Sequence, residues 1–138
     1  MTIQRTLTII KPDAVGKNAV GEIIHRFELA GFKIVAMRME RLKKDRAEGF
    51  YHVHSDKPFF DELVEFMTSG PCVPMVLEKE NAIEDLRALI GVTDSKKAAT
   101  GTIRQNFGTD IQCNAVHASD SVENARFEVN YFFPDIKV

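Results

Sequence analysis

The segment Asn114-Ala115-Val116-His117-Ala118-Ser119-Asp120-Ser121 places one histidine between a short apolar run and the start of a helix. Its second and third residues are apolar and are typical of the end of a buried strand. Asp120, followed by Glu123 three positions later, predicts a helix N-cap with its capping-box partner. We therefore expect His117 to lie where a strand ends and a helix begins.

That position suits phosphate chemistry. The free N–H groups at the start of a helix, together with the positive end of the helix dipole, attract an anion such as phosphate. An imidazole beside such a site could accept a phosphoryl group covalently. A single histidine at an element boundary is, however, more often a hydrogen-bonded structural residue, so the local pattern leaves both interpretations open.

The wider sequence supports the chemical interpretation. Five segments, in order and at matching spacing, resemble the signature segments of the nucleoside diphosphate kinase family. They are Thr8-Ile9-Ile10-Lys11-Pro12-Asp13-Ala14-Val15, Lys57-Pro58-Phe59-Phe60, Ser69-Gly70-Pro71, Gly101-Thr102-Ile103-Arg104 and the histidine segment above, which matches Asn-x-x-His-Gly/Ala-Ser-Asp. The resemblance covers essentially the whole chain, so we expect residues 1–138 to form a single domain of this family.

The resemblance implies an activity and three catalytic residues. The enzyme would transfer the γ-phosphoryl group of a nucleoside triphosphate to a nucleoside diphosphate by a ping-pong mechanism, through a phosphohistidine on His117. Glu128 would accept a hydrogen bond from the other ring nitrogen, and Ser119 would hold Glu128 or donate to the transferred group. The cofactor would be Mg²⁺, held mainly by the nucleotide phosphates because the sequence offers no carboxylate cluster for a metal site.

The resemblance also implies a nucleotide site. Its residues would be Lys11, Tyr51, Phe59, Arg87, Thr93, Arg104 and Asn114. Lys11 and Asn114 would bind ribose hydroxyls, while arginine forks match phosphate oxygens in pairs. Phe59 would stack on the base, and stacking predicts low base specificity because every base has a π face. Without the resemblance, Phe59 would be assigned to the helix core and Lys11 to a solvated strand end.

Composition narrows the possible partners. The 138 residues are 44% hydrophobic and 28% charged, which is typical of a single globular domain. The formal net charge of -2 makes nucleic acid an improbable main ligand. The sequence has no apolar run long enough to span a bilayer and no signal-peptide core, so we expect a cytoplasmic protein without a membrane partner. Cys72 and Cys113 lie in apolar runs and are expected to be buried free thiols.

Hydrophobic periodicity predicts the element order β-α-β-α-α-β-α-loop-β-α. Residues 32–42 alternate as a strand, with Met37 and Met39 expected in the core, and Pro74 interrupts a later strand. Periodicity fails across residues 91–111, which we interpret as an ordered functional loop. Pattern alone indicates an α/β or α+β protein. The family resemblance implies an α/β sandwich with a ferredoxin-like βαββαβ core, a four-stranded antiparallel sheet and added helices.

The family resemblance also implies a homo-oligomer, with a tetramer favoured and a dimer or hexamer possible. Ser95 replaces a proline common in the long loop, and the tail after Phe133 is short, which leaves the subunit number open. Two other classes of function compete with the kinase: a nucleotide- or nucleic-acid-binding regulator without the chemistry, and a purely structural oligomer. Phosphorylation of His117 would separate the kinase from both.

Overall fold

A computed structural model describes residues 2–138 of the chain. The strands are β1 (Ile3–Ile10), β2 (Lys33–Met37), β3 (Val73–Glu80) and β4 (Val116–Ala118). They form one sheet in the order β2-β3-β1-β4, and every neighbouring pair is antiparallel. The helices are α1 (Pro12–Gly16), α2 (Val20–Leu29), α3 (Lys44–Phe50), α4 (Phe60–Met67), α5 (Ala82–Ile90), α6 (Ile103–Phe107) and α7 (Val122–Phe132), with 3₁₀ turns at His52–His54 and Ser95–Lys97.

The sheet is covered on both faces, and strand alternation in β1 decides which side chains enter which layer. Leu7 and Ile9 pack in a core with side chains of α3, α4 and α7. Ile10 points to the opposite face and packs with side chains of α2, α5 and α6. Because both faces are buried, the two threonines of this run, Thr6 and Thr8, are also fully buried. This arrangement is the ferredoxin-like core with added helices that the family resemblance implied.

The short strand β4 brings the histidine to the sheet. Ile9 pairs with His117, and Ile10 pairs with Val116. Directly opposed residues of an antiparallel pair point to the same face. His117 therefore lies on the side of α3 and α7, while Val116 enters the other core. The hydroxyl of Thr8 also donates to the His117 carbonyl oxygen at 2.7 Å.

Pro74 lies inside β3 without breaking it. The backbone N–H of Arg38 donates to the Pro74 carbonyl oxygen at 3.2 Å, so Pro74 faces the β2 side of its strand. The last residue of β2 is Met37, which pairs with Met75. The missing proline N–H thus falls just beyond the end of the neighbouring strand, where no ladder bond is required.

The start of α7 differs from the prediction by one residue. Asp120 is not the N-cap; Ser121 is, and its hydroxyl accepts from the Asn124 backbone N–H at 3.0 Å. Asp120 instead accepts a hydrogen bond from the Asn124 side chain. Asp and Ser are equally good caps, and pairing with β1 extends the strand through Ala118, so the helix begins one residue later, with Ser121 as its cap. His117 is consequently inside β4 and not after its end.

Three further predictions were wrong in part. Residues 91–111 contain a 3₁₀ turn and the helix α6, which is too short to give a hydrophobic period. Met37 and Met39 are not core residues, with 51% and 60% of their surface exposed, because the sheet ends at β2. Cys72 is a buried free thiol as expected, whereas Cys113 is only half-buried. Within residues 2–138, no helix combines the length and the apolar character needed to cross a membrane.

Candidate active site

The imidazole of His117 is paired with a carboxylate from α7. Its Nε2 atom lies 2.7 Å from Oε1 of Glu128, and both side chains keep a small exposed fraction. The hydroxyl of Ser119 donates to the same Oε1 at 2.7 Å. The alternation of β4 places His117 and Ser119 on one face of the strand, and Glu128 reaches both from the second turn of the helix.

This pairing assigns the ring nitrogens different tasks. A carboxylate only accepts hydrogen bonds, so Nε2 of a neutral His117 carries the proton. The lone pair is then on Nδ1, for which residues 2–138 provide no hydrogen-bond partner. Glu128 therefore fixes the tautomer that leaves Nδ1 nucleophilic.

Two aromatic rings from the end of α3 form a wall beside the imidazole. The centroids of Phe50 and Tyr51 lie 5.4 and 6.5 Å from that of His117, both edge-on. The Tyr51 hydroxyl is buried and has no partner in the described chain. Burial raises the pKa of Tyr51, so this hydroxyl stays protonated and can donate to a ligand.

Lys11 and Asn114 form a polar connection to the long loop. The Lys11 ammonium donates to Asn114 Oδ1 at 2.8 Å, and Asn114 Nδ2 donates to the Thr93 carbonyl oxygen at 3.0 Å. Burial, reinforced by the charge of Arg104, lowers the pKa of Lys11 to about 8. A bound anion would therefore stabilise this cation strongly.

The two arginines predicted for phosphate binding differ in environment. Arg104 is 5% exposed, and its terminal nitrogens donate to the carbonyl oxygens of Gly91 at 3.0 Å and Val116 at 2.9 Å. Burial first, and the charge of Arg87 second, lower the pKa of Arg104 to about 10. Arg87 is exposed and approaches the Ala118 carbonyl oxygen at 3.4 Å. Arg104 thus links the loop to β4, whereas Arg87 is the more accessible guanidinium.

Phe59 lies at the N-terminus of α4, with 46% of its surface exposed. Its ring neighbours the ring of His54, with 5.7 Å between the centroids. Phe59 thus lies apart from the His117–Glu128–Ser119 group, whereas Arg87 and Arg104 reach the backbone of β4 through the carbonyl oxygens of Ala118 and Val116. Its exposed face is free to stack on a planar ligand.

Metal binding by the protein alone is not supported by the donor set. In the part of the chain described here, no group of three or more His, Cys, Asp or Glu side chains is close enough to hold an ion. Phosphate oxygens of a ligand would have to supply most of the coordination of a divalent cation.

Sequence reasoning assigned no role to two residues that the structure places at the site. Phe50 contacts the imidazole edge, but its sequence signal is that of an ordinary core residue. Asp13 Oδ2 accepts from the Ala115 N–H at 3.1 Å across 102 residues of sequence. No local pattern reports such a long-range contact.

These features define a ferredoxin-like protein whose site pairs a histidine and a carboxylate beside a cluster of cationic and amide side chains. Residues 4–138 match the family model of nucleoside diphosphate kinase, and the chain belongs to that family. A nucleoside diphosphate kinase of Anaeromyxobacter dehalogenans is 60% identical over 138 residues, which is all of this chain and 94% of that protein. One of Salinibacter ruber is 57% identical over all of this chain and 97% of that protein.

Solved structures show the same relationship. The nucleoside diphosphate kinase of Aquifex aeolicus superimposes with a TM-score of 0.96 and 49% identity, covering 99% of both chains. The enzyme of Halobacterium salinarum, solved in complex with CDP, gives a TM-score of 0.93 and 40% identity over 97% of this chain and 90% of that one.

Proposed function

We propose that this chain is a nucleoside diphosphate kinase that carries the phosphoryl group on Nδ1 of His117. The single observation that supports this most directly is the His117–Glu128 bond, because it occupies Nε2 and leaves Nδ1 without a hydrogen-bond partner among residues 2–138. The family membership supports the overall reaction, and the geometry supports the choice of nitrogen.

In the first half-reaction, the Nδ1 lone pair attacks the γ-phosphorus of a nucleoside triphosphate. The P–N bond forms as the bond from the γ-phosphorus to the bridging oxygen breaks, and the nucleoside diphosphate leaves with that electron pair. The ring becomes positively charged, and Glu128 stabilises that charge through the Nε2–H bond. Ser119 holds the carboxylate by donating to the same oxygen.

The second half-reaction reverses these steps with a different acceptor. A terminal phosphate oxygen of a second nucleoside diphosphate attacks the phosphohistidine, the P–N bond breaks, and Nδ1 recovers its lone pair. No proton has to move between protein and substrate, so positioning and charge neutralisation carry the catalysis.

Cationic side chains would offset the charge of the phosphates, and hydroxyl groups would donate hydrogen bonds to their oxygens. Arg87 is exposed and accessible for this task, whereas Arg104 is buried. The Tyr51 hydroxyl, which has no partner within residues 2–138, and the Thr93 side chain would donate to phosphate oxygens. The divalent ion, which we take to be Mg²⁺, enters as part of the nucleotide substrate and offsets the charge of its phosphates.

The nucleoside would be held by contacts that do not distinguish bases. Lys11 and Asn114 would bind the ribose hydroxyls, since their side chains already face each other. Phe59 would stack on the base at the exposed start of α4. Stacking without reading the base edge supports broad use of nucleotides.

Three predictions from the sequence remain part of this proposal. The chain would act as a single domain over residues 1–138, in the cytoplasm, and as a homo-oligomer, with a tetramer favoured over a dimer or hexamer. Ser95, which is buried beneath Gly108 in the long loop, would tune the strength of that assembly. Sedimentation equilibrium of the unmodified chain measures the subunit number.

The test is to mix the protein with [γ-³²P]ATP and Mg²⁺ and to follow the label. We expect an acid-labile, base-stable label on the protein that moves to added GDP, UDP or CDP. His117→Gln should abolish it. His25→Gln is the matched control, because His25 is exposed on α2 and away from the sheet end, and it should label normally. An acid-stable label, or labelling of His117→Gln, would contradict the mechanism.

A further inference from the structure

We propose that Asp13 is a positioning residue: its carboxylate holds Ala115 in a left-handed turn and thereby sets the place of the nucleotide-binding Asn114. This inference rests on the proposed function, since it assigns Asn114 to the nucleotide. It adds a residue for which neither composition nor the sequence motif gives a task.

The turn at Ala115 is strained. Its φ of 74° lies in the region that favours glycine, and the Val116 N–H donates back to the Asn114 carbonyl oxygen at 2.9 Å. A three-residue turn closed this way with positive φ is rare and costly. Ala115 is also fully buried, so water cannot compensate its backbone groups. Such a conformation persists only where the surroundings impose it.

The segment that follows β1 imposes it from both sides. The Ala115 carbonyl oxygen accepts from the Lys11 backbone N–H at 2.8 Å. The Ala115 N–H donates to Asp13 Oδ2 at 3.1 Å. Both backbone groups of Ala115 are therefore hydrogen-bonded to residues 11–13. We call these two hydrogen bonds the clamp, and Asp13 provides its only side chain.

The carboxyl group of Asp13 is itself placed unfavourably. Its other oxygen, Oδ1, is buried and has no hydrogen-bond partner in the described part of the chain. Burial raises the pKa of Asp13. A carboxylate on a short surface helix would normally keep both oxygens in water. In this structure one of the two oxygens instead accepts the hydrogen bond from the Ala115 N–H.

The consequences of losing the clamp fall on Asn114 more than on His117. His117 has its own anchors, since it pairs with Ile9 in the sheet and its carbonyl oxygen accepts from the Thr8 hydroxyl. Asn114 lies on the far side of the turn from β4. Its side chain can bridge the Lys11 ammonium and the Thr93 carbonyl oxygen only while the turn keeps its shape.

The inference is tested with the full chain and ADP as the probe. In Asp13→Ala we expect the dissociation constant for ADP, measured by titration calorimetry, to rise about 10- to 100-fold, which corresponds to the strain of one such residue. The rate of His117 phosphorylation at saturating ATP should change less than about threefold. A merely structural role would lower the thermal midpoint and the active fraction without changing the ADP affinity of the folded molecules.

A second substitution isolates the turn. Glycine adopts positive φ at little cost, so Ala115→Gly in the Asp13→Ala background should recover most of the ADP affinity, while Ala115→Gly alone should change it little. Asp13→Asn should remain close to the unmodified protein, because an amide oxygen can accept the same N–H.

Three results would overturn the inference: Asp13→Ala binds ADP normally, Ala115→Gly fails to recover the loss, or the unmodified chain does not bind ADP. If Asp13→Ala does not fold, the double variant decides: a folded, ADP-binding double variant supports the clamp, and an unfolded one overturns it. A different result would contradict the proposed function: no phosphohistidine forms on a chain that still binds ADP.

Discussion

Nε2 of His117 and Oε1 of Glu128 lie 2.7 Å apart, and this bond joins the edge strand β4 to the helix α7. It exists because His117 pairs with Ile9 and so faces the layer that contains α7. The register of a three-residue strand thus decides which face of the sheet His117 joins, and so brings its Nε2 atom against Glu128.

Removal of the carboxylate should slow the first half-reaction. Glu128→Ala loses a hydrogen bond to a charged group, worth about 1.5–3 kcal/mol, so we expect phosphorylation to fall roughly 10- to 100-fold. Rapid-quench labelling with [γ-³²P]ATP measures the rate. Glu123→Ala, on the exposed first turn of the same helix, is the control and should react normally. An unchanged rate in Glu128→Ala would remove the carboxylate from the mechanism.

Ser119→Ala should have a smaller effect on the same rate. The shorter contact of the Ser119 hydroxyl is with Glu128 Oε1 at 2.7 Å, against 3.5 Å to the Leu7 carbonyl oxygen, so we expect it to act through Glu128. The loss of one such bond, worth about 1 kcal/mol, predicts a decrease of roughly threefold to tenfold. In the double variant with Glu128→Ala the serine substitution should add almost nothing, because its partner is already gone. Full additivity would show that Ser119 acts on the substrate directly.

Nucleotide binding at pH 8 should take up protons. Burial lowers the pKa of Lys11 to about 8, so about half of these side chains are neutral there, and nearby phosphates favour the cation. Calorimetric titration with ADP in two buffers of different ionisation enthalpy measures the uptake, and affinity should decline as pH rises above 8. Lys11→Met should abolish the buffer dependence, whereas Lys33→Met, on the distant edge strand, should retain it.

The same pKa gives a signed prediction for the free protein. Between pH 8 and 10.5 the unfolded chain binds more protons at Lys11 than the folded chain does. The contribution of Lys11 to the free energy of unfolding therefore increases with pH over this range. Chemical denaturation at several pH values measures the free energy of unfolding. Between pH 8 and 10.5 its slope against pH should be less positive in Lys11→Met than in the unmodified protein.

Phe59→Ala should weaken the binding of all nucleotides to a similar extent. One stacked base contributes about 1–3 kcal/mol, so the dissociation constants of ADP, GDP and CDP should each rise roughly 5- to 150-fold. Phe127→Ala is a matched control, since Phe127 is 48% exposed on α7 and Phe59 is 46% exposed on α4. A loss confined to one base would indicate that Phe59 supports recognition of a base edge.

Much of the architecture could be predicted from the sequence because long, strongly periodic segments report their own structure. The apolar stripe of α2 and its termination just before Gly31, which has a φ of 95°, follow from local rules. The element boundaries near the site could not be predicted as well. Asp120 and Ser121 are equivalent caps locally, and only the pairing of β4 with β1 selects the serine.

The family resemblance indicated which residues to expect at the site, but it said nothing of most contacts among them. Arg104 was expected to bind phosphate, but the sequence did not indicate that its terminal nitrogens also donate to two backbone carbonyl oxygens. The contact between Asp13 and Ala115 joins two ends of the sequence, and no period or spacing encodes it. Such long-range polar contacts depend on the assembled sheet.

The double-sided burial of β1 restricts how this chain can change in length. A single inserted residue would exchange the side chains of Leu7 and Ile9 with those of Thr6 and Thr8 between two differently shaped layers. It would also displace Lys11 from Asn114 by one step of the strand. Insertions and deletions should therefore be tolerated at exposed connections such as residues 55–58, and be excluded from β1, which leads into the proposed nucleotide site.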